Sequence, residues 1–313
     1  MEFSLIFNLV LNAFTSFTAI AFNTFTIHAM SKTSSLPGPF KTLLLSLAVS
    51  DLIAGLLAQP FYILLIAIWS KQKNADDTLA STLLLVTICA LCTASLLNVM
   101  ALNIDRFLAV HLHLRYQELV THKRVVGAVI LIWISSVGIS LVWIWREVHT
   151  AFSFVAIIWS LCFVCMTIVN FRLYQAIKRH RDQIQVELQL QQAAQHRQLE
   201  SAIKPRKSAV STLYVYLVVL VCYLPMYCSI IFFVIRGHDD SFLLFSRSVM
   251  FFNSSMNPVI YCWRIRPIRQ VITDLLRNIF PCKSASESVP ARSSLEGTTA
   301  ARGIHTMRSS HES

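Results

Sequence analysis

Charge is scarce in this chain and crowded where it occurs. Only 14% of its 313 residues are Asp, Glu, Lys or Arg, while 55% are aliphatic, aromatic or Cys. A soluble domain of this length could not hide so much apolar surface. Acids are the rarer sign, 16 against 27 bases, for a formal charge of +11. The sequence lacks zinc-finger spacing and has no basic patch interleaved with aromatics, so the positive charge does not imply a nucleic-acid partner. Met1–Ser4 has no basic n-region, and the apolar run that follows is too long for a signal peptide. No histidine has a nucleophile and an acid in reach, so no enzyme is expected. Seven of the eight cysteines, all but Cys282, fall inside apolar stretches, which excludes an extracellular disulfide framework. The i, i+3 pairs Cys89/Cys92 and Cys162/Cys165 are expected to be small buried side chains rather than metal ligands.

What the chain does have is seven long, predominantly apolar stretches. A bilayer core about 30 Å thick needs about 20 helical residues, and residues 3–30, 41–68, 79–111, 123–146, 151–178, 208–235 and 242–263 supply them. Lipid offers the backbone no hydrogen-bond partners, so stretches of this length must be helices. The expected fold is an all-α integral membrane bundle of seven transmembrane helices over residues 1–263. An amphipathic eighth helix at 264–280 follows on the cytoplasmic membrane surface, then a disordered tail at 281–313. The connection Lys178–Lys207 reads as helical extensions of spans five and six with a break at Pro205.

Lys and Arg counts set the orientation. Lys32, Lys41, Arg115, Lys123, Arg124, the Lys178–Lys207 cluster and the tail lie on one side, expected to be cytoplasmic, with the N-terminus outside. Trp69, Trp143 and Trp145 then belong to the outer aromatic belt and Trp263 to the inner one.

Charge inside a span is costly and marks a candidate functional site. Asp51 lies near mid-span in the second stretch, within reach of Ser95 in the third and Asn253, Ser254 and Asn257 in the seventh. A carboxylate among neutral oxygens suits a small hard cation or a proton; a purely structural hydrogen-bond cluster fits equally. Asp105-Arg106 closes the third span. Arg247 precedes Ser254 by seven residues, as Ser254 precedes Tyr261, so it faces the bundle interior. There it clasps a carboxylate or phosphate, or else snorkels or pairs with a loop acid such as Asp76, Asp77, Asp239 or Asp240.

These motifs, taken in order, resemble the rhodopsin-like G-protein-coupled receptors. Leu47-Ala48-Val49-Ser50-Asp51, Asp105-Arg106-Phe107, Trp133, Cys222-Tyr223-Leu224-Pro225 and Asn257-Pro258-Val259-Ile260-Tyr261 are similar to that family's signatures, and Asn23 fits the first-span asparagine. The resemblance implies a ligand-activated receptor that passes an extracellular signal to a heterotrimeric G protein. In it, Asp51, Ser95, Asn253, Ser254 and Asn257 would hold an allosteric sodium ion, with no other cofactor. Asp105, Arg106, Tyr223, Pro225, Pro258 and Tyr261 would carry activation. Plasma-membrane localisation, arrestin binding to tail serines, contact with membrane lipids and palmitoylation at Cys282 follow from the same reading.

Departures from the pattern narrow the ligand. Phe107 replaces a tyrosine, Tyr223 a tryptophan, Cys162 a proline, Asn170 a tyrosine and Ser81 a disulfide cysteine. This set resembles the melanocortin, cannabinoid, adenosine and lysolipid receptor group. Ile88 stands where amine receptors carry an aspartate and Phe251 where opsins carry a lysine. What remains is an anionic amphipath, its charge on Arg247 and its hydrocarbon among Leu84, Leu85, Ile88 and Phe251. The alternatives are a receptor-shaped protein without G-protein signalling and, from a different class, a transporter, for which no internal repeat is visible.

Overall fold

The computed structural model describes residues 2–71, 78–112, 115–145, 147–190, 196–236 and 240–279, and among these it is helical almost throughout. Helix α1 runs Glu2–Lys32. The second span is α2 (Gly38–Ile53), a π-helical turn (Ala54–Ala58) and α3 (Gln59–Lys71). Then come α4 (Thr78–Leu112), the short α5 (Tyr116–Leu119), α6 (His122–Ser140) with its continuation α7 (Val142–Trp145), α8 (Val148–Leu190), α9 (His196–Arg236), α10 (Asp240–Arg264) and α11 (Arg266–Ile279). The helix boundaries follow local chemistry. Pro37 precedes α2 and another proline sits in its first turn, where a missing N–H costs nothing. The Thr121 hydroxyl caps α6 by accepting from the Arg124 amide.

Six of these helices are long and apolar enough to cross a bilayer on composition alone. The seventh, α10, is not among them, and its polar residues explain why. Ser246, Arg247, Ser248, Asn253, Ser254, Ser255 and Asn257 are all buried. The helix packs between α9 and α1 and also touches α2, so its polar side meets protein rather than lipid. Helix α4 lies at the centre, in contact with α2, α6, α8 and α9.

A ladder of polar contacts joins α1 to α10 along much of their length. Asn12 Nδ2 donates to the Ser248 hydroxyl at 2.8 Å and Asn8 Nδ2 to the Leu244 carbonyl at 3.1 Å. The Thr18 and Ser255 hydroxyls pair at 2.9 Å, and Asn23 Nδ2 donates to the Ser254 carbonyl at 2.9 Å. In an apolar medium such contacts hold helices together where the hydrophobic effect cannot.

Four expectations need correction. Helix α9 runs unbroken through Pro205, starting at His196. A proline inside a helix removes one backbone hydrogen bond, and the turns on both sides of Pro205 keep theirs. Trp143 is turned inward, edge-on to Phe152 at 4.8 Å, while Trp145 and Trp263 are exposed as belt residues are. Cys165 and Cys228 face outward rather than into the core, because a thiol is apolar enough for the bundle's outer face. The second span contains the π-helical turn, which no reading of hydrophobic periodicity signals; it lies just ahead of Pro60, whose missing N–H disturbs the turn before it. The tail and Cys282 lie outside the described residues.

The π-helical turn also brings the second span close to α1. The Gly55 carbonyl accepts from the Ser16 hydroxyl at 2.8 Å. A Cβ on Gly55 would sit 3.1 Å from Ala19 Cβ and 3.2 Å from the Ser16 carbonyl oxygen. We predict that Gly55→Val pushes α1 away and lowers stability by about 1–3 kcal/mol. A melting curve of the purified protein in detergent checks this; an unchanged midpoint would show that α1 yields freely.

Candidate functional site

Asp51 is 1% exposed and sits where α2, α4 and α10 meet. Its Oδ2 accepts from Asn257 Nδ2 at 2.8 Å, and its Oδ1 lies 3.4 Å from the Ser95 hydroxyl, with Ser254 as a further hydrogen-bond donor. Asn253, 1% exposed, has neither amide atom engaged by protein. The five residues expected to gather round a cation are thus buried on adjoining helix faces. Four of them are joined directly through the carboxylate.

Tyr223 donates from its hydroxyl to the Cys92 carbonyl of α4 at 3.1 Å. Its ring stacks edge-on to Trp159 at 5.5 Å and to Phe163 at 6.3 Å. The tyrosine hydroxyl therefore ties α9 to the backbone of α4. Tyr261 is buried one turn beyond Asn257, past Pro258.

At the opposite end of α4, Asp105 and Arg106 are 4% and 5% exposed. They form a buried ion pair: Arg106 Nε and a terminal guanidinium nitrogen both donate to Asp105 Oδ2, the first at 2.9 Å. The other carboxylate oxygen accepts from the Tyr116 hydroxyl at 2.6 Å. Burial, then the adjacent carboxylate, hold the Tyr116 phenol well above its ordinary range, so it remains a donor. The Arg106 guanidinium also lies 3.9 Å from the centre of the Phe40 ring, at the start of α2. The sequence pointed to the ion pair but not to Phe40 or Tyr116. An aromatic residue in the first turn of a span and a tyrosine in a four-residue helix carry no signal of such a role.

Arg247 is 7% exposed and within electrostatic reach of Tyr62, as its spacing implied. Tyr62 donates to the Leu244 carbonyl at 3.1 Å, and its ring lies 5.6 Å from that of Phe251. Leu84, Ile88 and Phe251 are core residues, with Leu85 partly buried against them.

Comparison with known proteins agrees with this geometry. Residues 22–152 match the model of the seven-transmembrane receptor domain of the rhodopsin family. Over that stretch the chain is similar to the rhodopsin family of seven-transmembrane receptors. It is 26% identical over 269 residues to a dog histamine H2 receptor, covering 78% of this chain and 71% of that receptor. The human histamine H2 receptor is likewise 26% identical, over 272 residues. A rat adenosine receptor A2b is 32% identical over 123 residues, 39% of this chain and 36% of that receptor. Adenosine receptors fall in the group suggested by the sequence departures; histamine receptors do not. Like its relatives it is a multi-pass membrane receptor of a family that signals through G proteins, and not an enzyme.

The geometry makes Phe40 and Tyr116 restraints on Arg106. A desolvated cation–π contact contributes about 2 kcal/mol, and a hydrogen bond to a charged group about 1.5–3 kcal/mol. We predict that Phe40→Ala raises ligand-free nucleotide exchange on the G protein severalfold at equal surface expression. A basal rate equal to the unmodified receptor's would mean that Phe40 is packing only.

Proposed function

We propose that this chain is a plasma-membrane receptor whose Glu2 end faces outward and whose Arg106 end engages a heterotrimeric G protein. The observation that carries the reading is the buried Asp105–Arg106 pair, tied to Tyr116 and Phe40. A buried ion pair brings little net stability. Its retention at the end of α4 fits a switch with two arrangements, one held by these intramolecular partners and one by the G protein. Tyr223, Pro225, Pro258 and Tyr261 would let α9 and α10 move between the two. The basic excess on the Arg106 side supports this orientation. A cell-based G-protein activation screen, read as cyclic AMP and calcium, tests it against Arg106→Ala. Ligand responses are expected to disappear in that variant; a response equal to the unmodified receptor's would overturn the switch.

Asp51, Ser95, Asn253, Ser254 and Asn257 are proposed as the site of a sodium ion that favours the inactive arrangement. The support is an acid with four neutral polar side chains buried on adjoining faces of three helices. Binding to one state alone stabilises it by mass action. Sodium is therefore expected to raise the melting temperature more than choline does, and Asp51→Asn to abolish the difference. A sodium response that persists in Asp51→Asn would refute the site.

The proposed ligand is a small amphipath whose carboxylate or phosphate meets Arg247 while its hydrocarbon lies along Leu84, Leu85, Ile88 and Phe251. Support comes from the burial of Arg247 near Tyr62, seven residues into α10. On the other side, α11 lies between the bundle and the tail. The proposed contacts with arrestin and membrane lipids, and an acyl anchor at Cys282, extend from there.

A further inference from the structure

The inner half of α9 is held from two sides. On one side, Val210 and Leu213 pack with Phe107 and Val110 of α4 and with Leu173 and Ile177 of α8. The Tyr216 hydroxyl also meets that of Thr167 on α8 at 2.8 Å. On the side of α10 the contact is of a different kind. The rings of Tyr214 and Trp263 lie 5.5 Å apart, centre to centre, with their planes tilted by 60°. The Arg264 guanidinium carbon sits 4.9 Å from the centre of the Tyr214 ring and 5.2 Å from that of Trp263. Each of these separations lies in the attractive range for its kind of contact.

Two of the three residues stand on a fixed platform. Arg264 is the last residue of α10, where a cation meets the negative end of the helix dipole. Just beyond it, the Ile265 amide donates to the Tyr261 carbonyl at 2.8 Å and the Arg269 amide to the Ile265 carbonyl at 3.1 Å. Ile265 and Ile268 are buried, which pins the α10–α11 junction into the bundle. Among the described residues no acid pairs with Arg264. The faces of the two rings are what hold its guanidinium in place.

The third residue sits on a lever. Tyr214 precedes Pro225 by eleven residues, about 16 Å along α9. A change of about 20° at Pro225 displaces Tyr214 by roughly 5–6 Å. A cation–π contact holds only within about 6 Å of the ring centre, so α9 cannot open away from α10 with this group intact. We propose that Tyr214, Trp263 and Arg264 form a latch that holds the inner end of α9 to the α10–α11 junction and keeps the receptor in its resting arrangement. This rests on the reading, given above, of a receptor with two arrangements that engages a G protein in one of them.

The test uses the full-length receptor in lipid nanodiscs, with two readouts. One is ligand-free nucleotide exchange on a panel of purified heterotrimeric G proteins. The other is amide hydrogen exchange over the inner turns of α9. Tyr214→Leu stays apolar but loses the ring face, and Arg264→Gln loses the charge. Each is expected to raise ligand-free nucleotide exchange about threefold and to speed amide exchange. Tyr214→Phe keeps the ring and is expected to match the unmodified receptor. The double variant is expected to gain no more than the larger single one, because one shared contact is lost. Should Tyr214→Leu fail to fold, Trp263→Leu removes the other ring and is expected to act in the same way.

Unchanged nucleotide exchange in both single variants, in a receptor whose own rate exceeds that of Arg106→Ala, would overturn the latch and leave the G-protein reading standing. Effects that multiply in the double variant would overturn the shared contact, since independent losses add in free energy. If no variant exceeds Arg106→Ala, the G-protein reading fails, and amide exchange decides the latch by itself. Faster exchange in Tyr214→Leu and Arg264→Gln would then support the hold on α9, and rates equal to the unmodified receptor's would overturn it.

Discussion

Everything in this bundle depends on where the polar side of α10 goes. Its serines and asparagines and Arg247 would be ruinous against hydrocarbon, which offers no partner to a hydroxyl, an amide or a guanidinium. They are buried instead against α1, α2, α3 and α9. The same packing that makes α10 tolerable in a membrane also builds the candidate site around Asp51. Asn257 brings it to Asp51, and Ser248 and the carbonyls of Leu244 and Phe251 bring it to α1 and α3. A helix too polar to cross alone is thus held by hydrogen bonds to its neighbours.

The two charged centres sit in different surroundings and suit different work. Asp51 is enclosed by neutral donors from α4 and α10. Arg106 has its counter-ion next to it in sequence and an aromatic ring over its face. Phe40 of α2 and, through Asp105, Tyr116 of α5 hold it, and the stretch Lys204-Pro205-Arg206-Lys207 contains no acid.

Relatives that are named for histamine and for adenosine bracket this chain without deciding its ligand. Moderate identity spread over the bundle reflects a shared membrane scaffold, and ligand choice resides in a few side chains on it. The ligand contact proposed on this scaffold is Arg247 of α10. Ile88 occupies the third-span position where amine receptors carry an aspartate.

Span number, helical character, family and the identity of the charged residues within the spans were legible in the chain itself. Lipid forces long apolar stretches into helices, and an ionisable residue within one stands out against its neighbours. Heptad spacing along α10 likewise placed Arg247, Ser254 and Tyr261 on one inward face. What periodicity could not show is which helices touch, and at what height. Phe40 meets Arg106 across two helices, and Tyr116 reaches Asp105 from a short connecting helix. Trp143 turns in rather than out, and the π-helical turn resets the register of the second span just before Gln59. These contacts depend on helix offsets and rotations, which are fixed by close packing between elements far apart in sequence, so only the tertiary structure decides them.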